Sequence, residues 1–169
     1  EGIMFHSLDE FFPSWAYENQ STQRIFAALT DASLAQRVTP EGRDIRTLAW
    51  HIVTSIPEMM TRTGLTITGP AADAPAPTTA ADILAGYTAA ADSLEAAMRE
   101  HWTDASLAVT CDMYGEQWSN AQTLSILIIH QVHHRAQLTV LMRQAGLPVP
   151  GIYGPSREEW AAMGMPAMP

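Results

Sequence analysis

The sequence predicts an all-α domain built around four long helices. Three observations carry that expectation. Apolar residues recur at helical spacing in four separate stretches, and no convincing set of strands interrupts them. Apolar residues make up 47% of the chain, with five Trp and nine Met, far more than a disordered chain carries. The 169 residues suffice for one domain with a real core and are too few for two.

The first helix is expected from about Leu8 to Leu29, with Phe11, Phe12, Trp15, Tyr17, Ile25, Phe26 and Leu29 as apolar positions. Pro13 belongs near its start, where a missing N–H costs little. The second begins near Asp44, an N-cap, and carries Ile45, Leu48, Ile52, Ile56 and Met59. Pro57 should kink or shorten it, because Pro57 cannot donate to the carbonyl of Val53. The segment from Gly64 to Pro77 is rich in Gly, Pro, Thr and Ala. A connection of that length can carry the chain along a bundle, so the second and third helices can run parallel. The third helix runs from about Thr79 to Trp102, with Ile83, Leu84, Tyr87, Leu94 and Met98. Between Thr103 and Trp118 the Tyr114-Gly115 pair suggests a small hairpin. The fourth helix runs from about Asn120 to Ala145 and stops at Gly146 and Pro148. Residues 146–169 form an extended tail, in which Ser156-Arg157-Glu158-Glu159 is a capping box opening a short helix toward Trp160. The whole chain, 1–169, is thus read as a single domain.

Charge and composition exclude several functions. Eighteen acidic residues face nine basic ones, for a net charge of −9. All the basic residues are Arg, so no Schiff-base or P-loop lysine exists. The arginines are scattered, which argues against nucleic-acid binding and against an anionic membrane surface. No apolar run reaches the roughly 18 residues that would span a bilayer. No secretory signal opens the chain, and the start at Glu1-Gly2 without Met suggests a trimmed terminus. The single cysteine, Cys111, rules out an internal disulfide and fits a cytoplasmic location. Its acidic neighbour Asp112 disfavours a thiolate.

The histidines carry the chemistry. There are six, at positions 6, 51, 101, 130, 133 and 134. On a helix each residue turns by about 100°, so His130 and His134 point to nearly the same side. Leu127, Leu138 and Leu141 lie close to that direction, so both imidazoles are expected to face the bundle interior. His133 falls roughly 90° away. Two His at i and i+4 can chelate one metal, as in HExxH zinc enzymes, but Gln131 stands where that motif has its Glu. Metalloprotease chemistry therefore does not transfer. A third ligand must come from elsewhere, and His51 is the natural choice. It shares a side of the second helix with Asp44, Thr47, Ser55 and Glu58, at the edge of the apolar stripe. A ligand sits in such a place, and so does an ordinary solvated histidine.

Three segments carry a family resemblance. His130-Gln131-Val132-His133-His134-Arg135-Ala136-Gln137-Leu138 followed by Leu141-Met142-Arg143-Gln144-Ala145-Gly146-Leu147-Pro148 is similar to the C-terminal signature of the DinB/YfiT-like superfamily. Leu48-Ala49-Trp50-His51-Ile52 resembles its second helix, and Pro150-Gly151-Ile152-Tyr153-Gly154-Pro155-Ser156 the tail of many members. The resemblance implies a four-helix bundle with an up-down-down-up path and a long crossover between helices two and three. It also implies a divalent metal, zinc or nickel, on His51, His130 and His134.

Three His leave at least one coordination position open, which suits a catalytic or substrate-binding metal rather than a closed structural one. Relatives in the superfamily include thiol S-transferases and thiol-dependent isomerases that use thiols such as bacillithiol or mycothiol, and hydrolases; many have no known activity. The expected function is therefore a metal-dependent thiol transferase acting on a small molecule, in which a metal-activated thiol attacks an electrophile. Glu58 and Asp44 are candidates to orient His51, Tyr153 to fold over the metal, and Arg135 to meet an anionic substrate or form an ion pair. The alternatives are a bundle that holds metal or an apolar ligand without turnover, and an interaction module that pairs into a homodimer.

Overall fold

The computed structural model describes residues 4–166. Residues 1–3, which include the Glu1-Gly2 start, and residues 167–169 of the tail lie outside that range. Four long helices form the body: α1 over Leu8–Ala27, α2 over Ile45–Met60, α3 over Ala80–His101 and α4 over Asn120–Gln144. A two-stranded ribbon, β1 over Thr110–Met113 and β2 over Glu116–Ser119, precedes α4, and a short helix α5 spans Arg157–Ala162 in the tail.

Caps explain where the long helices begin. Ser7, Asp44, Thr79 and Ser119 each sit in extended backbone and accept from a backbone N–H three residues on. Pro13 falls in the second turn of α1 rather than the first. Helix α4 ends in a Schellman motif. Gly146 has φ of 75°, its N–H bonds the Arg143 carbonyl at 3.1 Å, and the Leu147 N–H reaches Met142 at 2.9 Å.

Pro57 does not end α2 at its own position; the helix continues to Met60 and then tightens into a 3-10 turn over Thr61–Thr63. The reason is packing. A mid-helix proline costs about 3 kcal/mol, and burying one large apolar side chain returns about 1.5–3 kcal/mol. Ile56, Met59 and Met60 are all buried on this stretch.

Contacts give the direction of each helix. Phe12 near the start of α1 lies 3.9 Å under the Arg99 guanidinium near the end of α3, and Phe26 near the end of α1 meets Tyr87, so α1 and α3 are antiparallel. Trp50 and Val53 of α2 lie against Gly86 of α3, while Gly69 of the crossover touches both Pro57 and Ala90. Helices α2 and α3 therefore run parallel. The Met4 N–H donates to Ser125 at 3.0 Å and Glu18 pairs with Arg135, so α1 and α4 are parallel. The path is up-down-down-up. The crossover is tied down by Trp50 Nε1 donating to the Ala74 carbonyl at 2.8 Å, and by the Thr68 N–H donating to Ser93 at 2.7 Å. Gly86 is needed where it stands, because a Cβ there would lie 2.9 Å from the Trp50 ring.

The expected hairpin is present, with Cys111 opposite Trp118. Its turn residues Tyr114 and Gly115 have φ of 59° and 88°, the paired positive values of a type I′ turn. In the tail, Glu159 closes the capping box on Ser156 and also accepts from the Gly151 N–H at 2.9 Å. Among the described residues no helix is long and apolar enough to cross a membrane.

Candidate metal centre

Helices α2 and α4 pack against each other in opposite directions: Leu48 shares a cavity with Leu141, while His51 meets His130 and His134. One turn of each helix is thereby fixed opposite the other. His51, His130 and His134 each offer one ring nitrogen, and these atoms all lie within 4.8 Å of one another. The Nε2 atoms of His51 and His130 are 3.1 Å apart. Nitrogens bound to one ion at about 2.0–2.1 Å would stand about 2.9–3.4 Å apart for right-angle to tetrahedral coordination. The His51–His130 distance falls in that range, and the three side chains could hold a metal ion.

The electrostatics fit as well. Burial, then the neighbouring imidazoles His134 and His51, push His130 down to about 4. His51 and His134 are lowered too, mainly by burial; the Arg43 guanidinium adds to both. All three rings are then neutral at pH 7 and keep a lone pair for a cation. His134 Nδ1 donates to Gln137 Oε1 at 2.8 Å, which leaves Nε2 as the free acceptor. A ligating histidine commonly has its other nitrogen fixed in this way. The Gln137 amide nitrogen sits 3.1 Å from His133 Nε2, so one amide bridges both rings. His133 itself is exposed and outside the three-His group.

Several expectations about this neighbourhood are corrected. The His130 and His134 rings are half-buried at the edge of the α2–α4 seam rather than in the bundle interior. The interior side of this stretch is taken by Gln131 and Arg135, both buried, with Tyr87 donating to Gln131 at 3.0 Å. Arg135 is 2% exposed and bonds Glu18 at 2.6 Å and Thr22 at 3.1 Å, so it forms the ion pair and reaches no substrate. Tyr153 does not fold over the histidines. Its hydroxyl lies at 2.8 Å from Glu18 and 2.7 Å from Arg135, on the α1 side, because the tail straps across α1. Asp44 spends its oxygens on the Thr47 N–H and on Arg37, with none on His51. Glu58 stays beside the site but does not bond His51; Arg62 lies at 3.0 Å and the Tyr114 hydroxyl donates at 2.6 Å. Cys111 is half-buried with its Sγ 3.8 Å from the Trp118 carbonyl, away from the cluster.

Three residues near the site were not singled out from sequence. Gln137 is three residues after His134, a spacing that puts both on one helix face and that could have flagged it. Tyr114 reaches Glu58 only because the hairpin docks beside α2. Arg43 precedes the N-cap of α2 and has no periodic signal. Two cavities open beside the cluster. One of about 370 Å³ is lined by His51, Ser55, Glu58 and Tyr114; the other, of about 490 Å³, lies beside His134 and Gln137.

Comparison with known proteins agrees with this architecture. The uncharacterized protein YrdA of Bacillus subtilis (strain 168) is 45% identical over 164 residues, covering 97% of this chain and 98% of that one. The crystal structure of a DinB-like protein from Bacillus cereus ATCC 10987 superposes with a TM-score of 0.86 at 44% identity, covering 89% of this chain and 100% of the other. A second DinB-like protein, YjoA of Bacillus subtilis, is similar in fold alone, with a TM-score of 0.58, 18% identity, and coverage of 79% and 92%. The sequence pattern of the DinB family matches residues 4–167, so the chain belongs to the DinB family.

Proposed function

We propose that His51, His130 and His134 bind one divalent metal, zinc or nickel, and that the centre catalyses transfer of a low-molecular-weight thiol to a small electrophile. The observation that carries this reading is the convergence of three neutral imidazole nitrogens within 4.8 Å at a half-buried seam. Three protein ligands leave room for an exogenous ligand, unlike the closed four-ligand sets of structural zinc. When bound, such a metal supplies Lewis acidity that brings the pKa of a thiol or water toward neutrality.

The chain's own residues supply the rest. Gln137 accepts from His134 Nδ1, so His134 would offer its Nε2 to a bound cation. On the other flank Glu58 is a carboxylate within the cavity that His51 lines, placed to accept the proton a thiol gives up. In the overall reaction the sulfur–carbon bond forms, the bond from carbon to the leaving group breaks, and the proton leaves with the leaving group. Burial and the Glu58 hydrogen bond push the Tyr114 phenol up to about 12, so Tyr114 stays a hydrogen-bond donor at neutral pH.

Elemental analysis tests the first half of the proposal. The protein should carry about one zinc or nickel per chain after incubation with either metal, and His130→Ala/His134→Ala should carry none. Metal-replete protein should then join a small thiol to chlorodinitrobenzene or a bimane. Absence of metal in the wild type would sink the metal centre. Metal without turnover across several thiols and electrophiles would leave a metal- or ligand-binding bundle.

A further inference from the structure

The two cavities beside the histidines differ in chemistry. The one with Glu58 and Tyr114 also presents polar groups from His51, Thr54 and Ser55. The larger, of about 490 Å³, is walled by Val38, Leu48, Val140 and Leu141, and His134 lines it too. Its size falls within the range of about 300–1,000 Å³ typical of small-molecule sites. Val38 and Val140 are 67% and 55% exposed, aliphatic side chains left in water at the cavity mouth. A ligand with an apolar body would cover them.

One cation faces this apolar wall. Arg43 lines the same cavity, and its charge reaches both His51 and His134. Arg37, Arg62, Arg99, Arg135 and Arg143 each pair with a carboxylate. Among the described residues Arg24, Arg43, Arg46 and Arg157 have no salt-bridged carboxylate, and of these four Arg43 lines the cavity. A guanidinium left free beside a nonpolar cavity suits the planar, two-point recognition of a carboxylate. A lone cation with no basic neighbours in the cavity suits a small anion better than a polyanion.

We propose that this cavity is a substrate subsite for a small organic anion with an aliphatic body, its carboxylate held by Arg43 and its chain laid against Val38, Leu48, Val140 and Leu141. The subsite rests on the metal-centre reading, since His134 forms one wall of it, and it assigns the substrate class of that centre.

Calorimetric titration of the protein as purified with octanoate, 1-octanol and octylammonium tests the subsite. Octanoate should bind, and octylammonium should not. Arg43→Gln should weaken octanoate roughly tenfold or more, as expected for loss of a charge-assisted hydrogen bond, and Arg43→Lys should weaken it less. Val140→Asp, an exposed substitution that puts a like charge on the apolar wall, should weaken it too. Equal octanoate affinity in wild type and Arg43→Gln would overturn the proposal, as would octanol or octylammonium binding as tightly as octanoate. Metal content measured on the same preparations separates this outcome from failure of the metal centre. Arg43→Gln should keep the metal of the wild type while losing octanoate. A metal-free wild type that still binds octanoate through Arg43 would sink the metal centre and keep the anion site.

Discussion

A half-buried histidine gives up solvation of its charged form, and three side by side would also repel one another as cations. Both effects hold His130 near 4 against the ordinary 6.5. In that window the unfolded chain binds more protons than the folded one, so stability rises with pH between about 4 and 6.5. His51 and His134 shift the same way. The urea midpoint of metal-free protein should therefore fall between pH 7 and pH 5, and His130→Ala should flatten that dependence. A midpoint that rises toward pH 5 would contradict the assignment. Of the two rings that Gln137 bonds, His134 alone belongs to the three-His group, so the effect of Gln137 should show in metal affinity rather than in stability. Gln137→Ala is expected to weaken zinc or nickel binding about 10–100-fold in a chelator competition, with the thermal midpoint unchanged.

Helix ends and helix interiors obey different priorities in this chain. Asp44 starts α2 through the Thr47 N–H at 2.8 Å, and its pKa is lowered by that bond and by Arg37 even though burial pulls the other way. Asp44→Ala should therefore cost about 0.5–2 kcal/mol in chemical denaturation, with metal content intact. Loss of metal without loss of stability would instead give Asp44 a role at the site. In the interior of α2, packing overrides the local preference of Pro57, because the buried side chains of Ile56, Met59 and Met60 flank it. The hairpin is a mixed case: Gly115 suits its left-handed position, whereas Tyr114 takes φ of 59°, which a bulky side chain rarely adopts, and its hydroxyl donates to Glu58 at 2.6 Å.

Across the whole molecule, one polar network, buried at Glu18 and Arg135, joins three parts of the chain. Arg135 of α4 binds Glu18 and Thr22 of α1, and Tyr153 of the tail closes onto both charged partners. A second tie runs from Arg143 to Glu158, which holds α5 against the end of α4. Removing one member of a buried ion pair leaves the other charge stranded, at a cost of about 3–5 kcal/mol. Arg135→Met should thus lower the denaturation midpoint strongly while leaving the three histidines able to bind metal. The double replacement Glu18→Leu/Arg135→Met should recover much of the loss. A double mutant as unstable as the sum of the singles would show that the pair is not coupled in this way.

The helices, the caps at Asp44 and Ser156, the Gly146 stop and the i, i+4 histidine pair were all legible in the sequence, because each depends on neighbours within about four residues. So was the parallel crossover, from the length and composition of the Gly64–Pro77 segment. The sequence also proposed His51 as the partner of His130 and His134, but periodicity alone left it equally a solvated side chain. Which faces of α2 and α4 meet decided that question, and side-chain reach across the fold decided the rest. Arg135 and Tyr153 lie within the segments that carry the resemblance yet turn to Glu18 on α1. Arg43, Gln137 and Tyr114 gather around the histidines from a loop, a helix and a hairpin. Gln137 lies only three residues from His134, but the Arg43, Tyr114, Arg135 and Tyr153 contacts join residues far apart along the chain, and only the packing of helices, hairpin and tail brings them together.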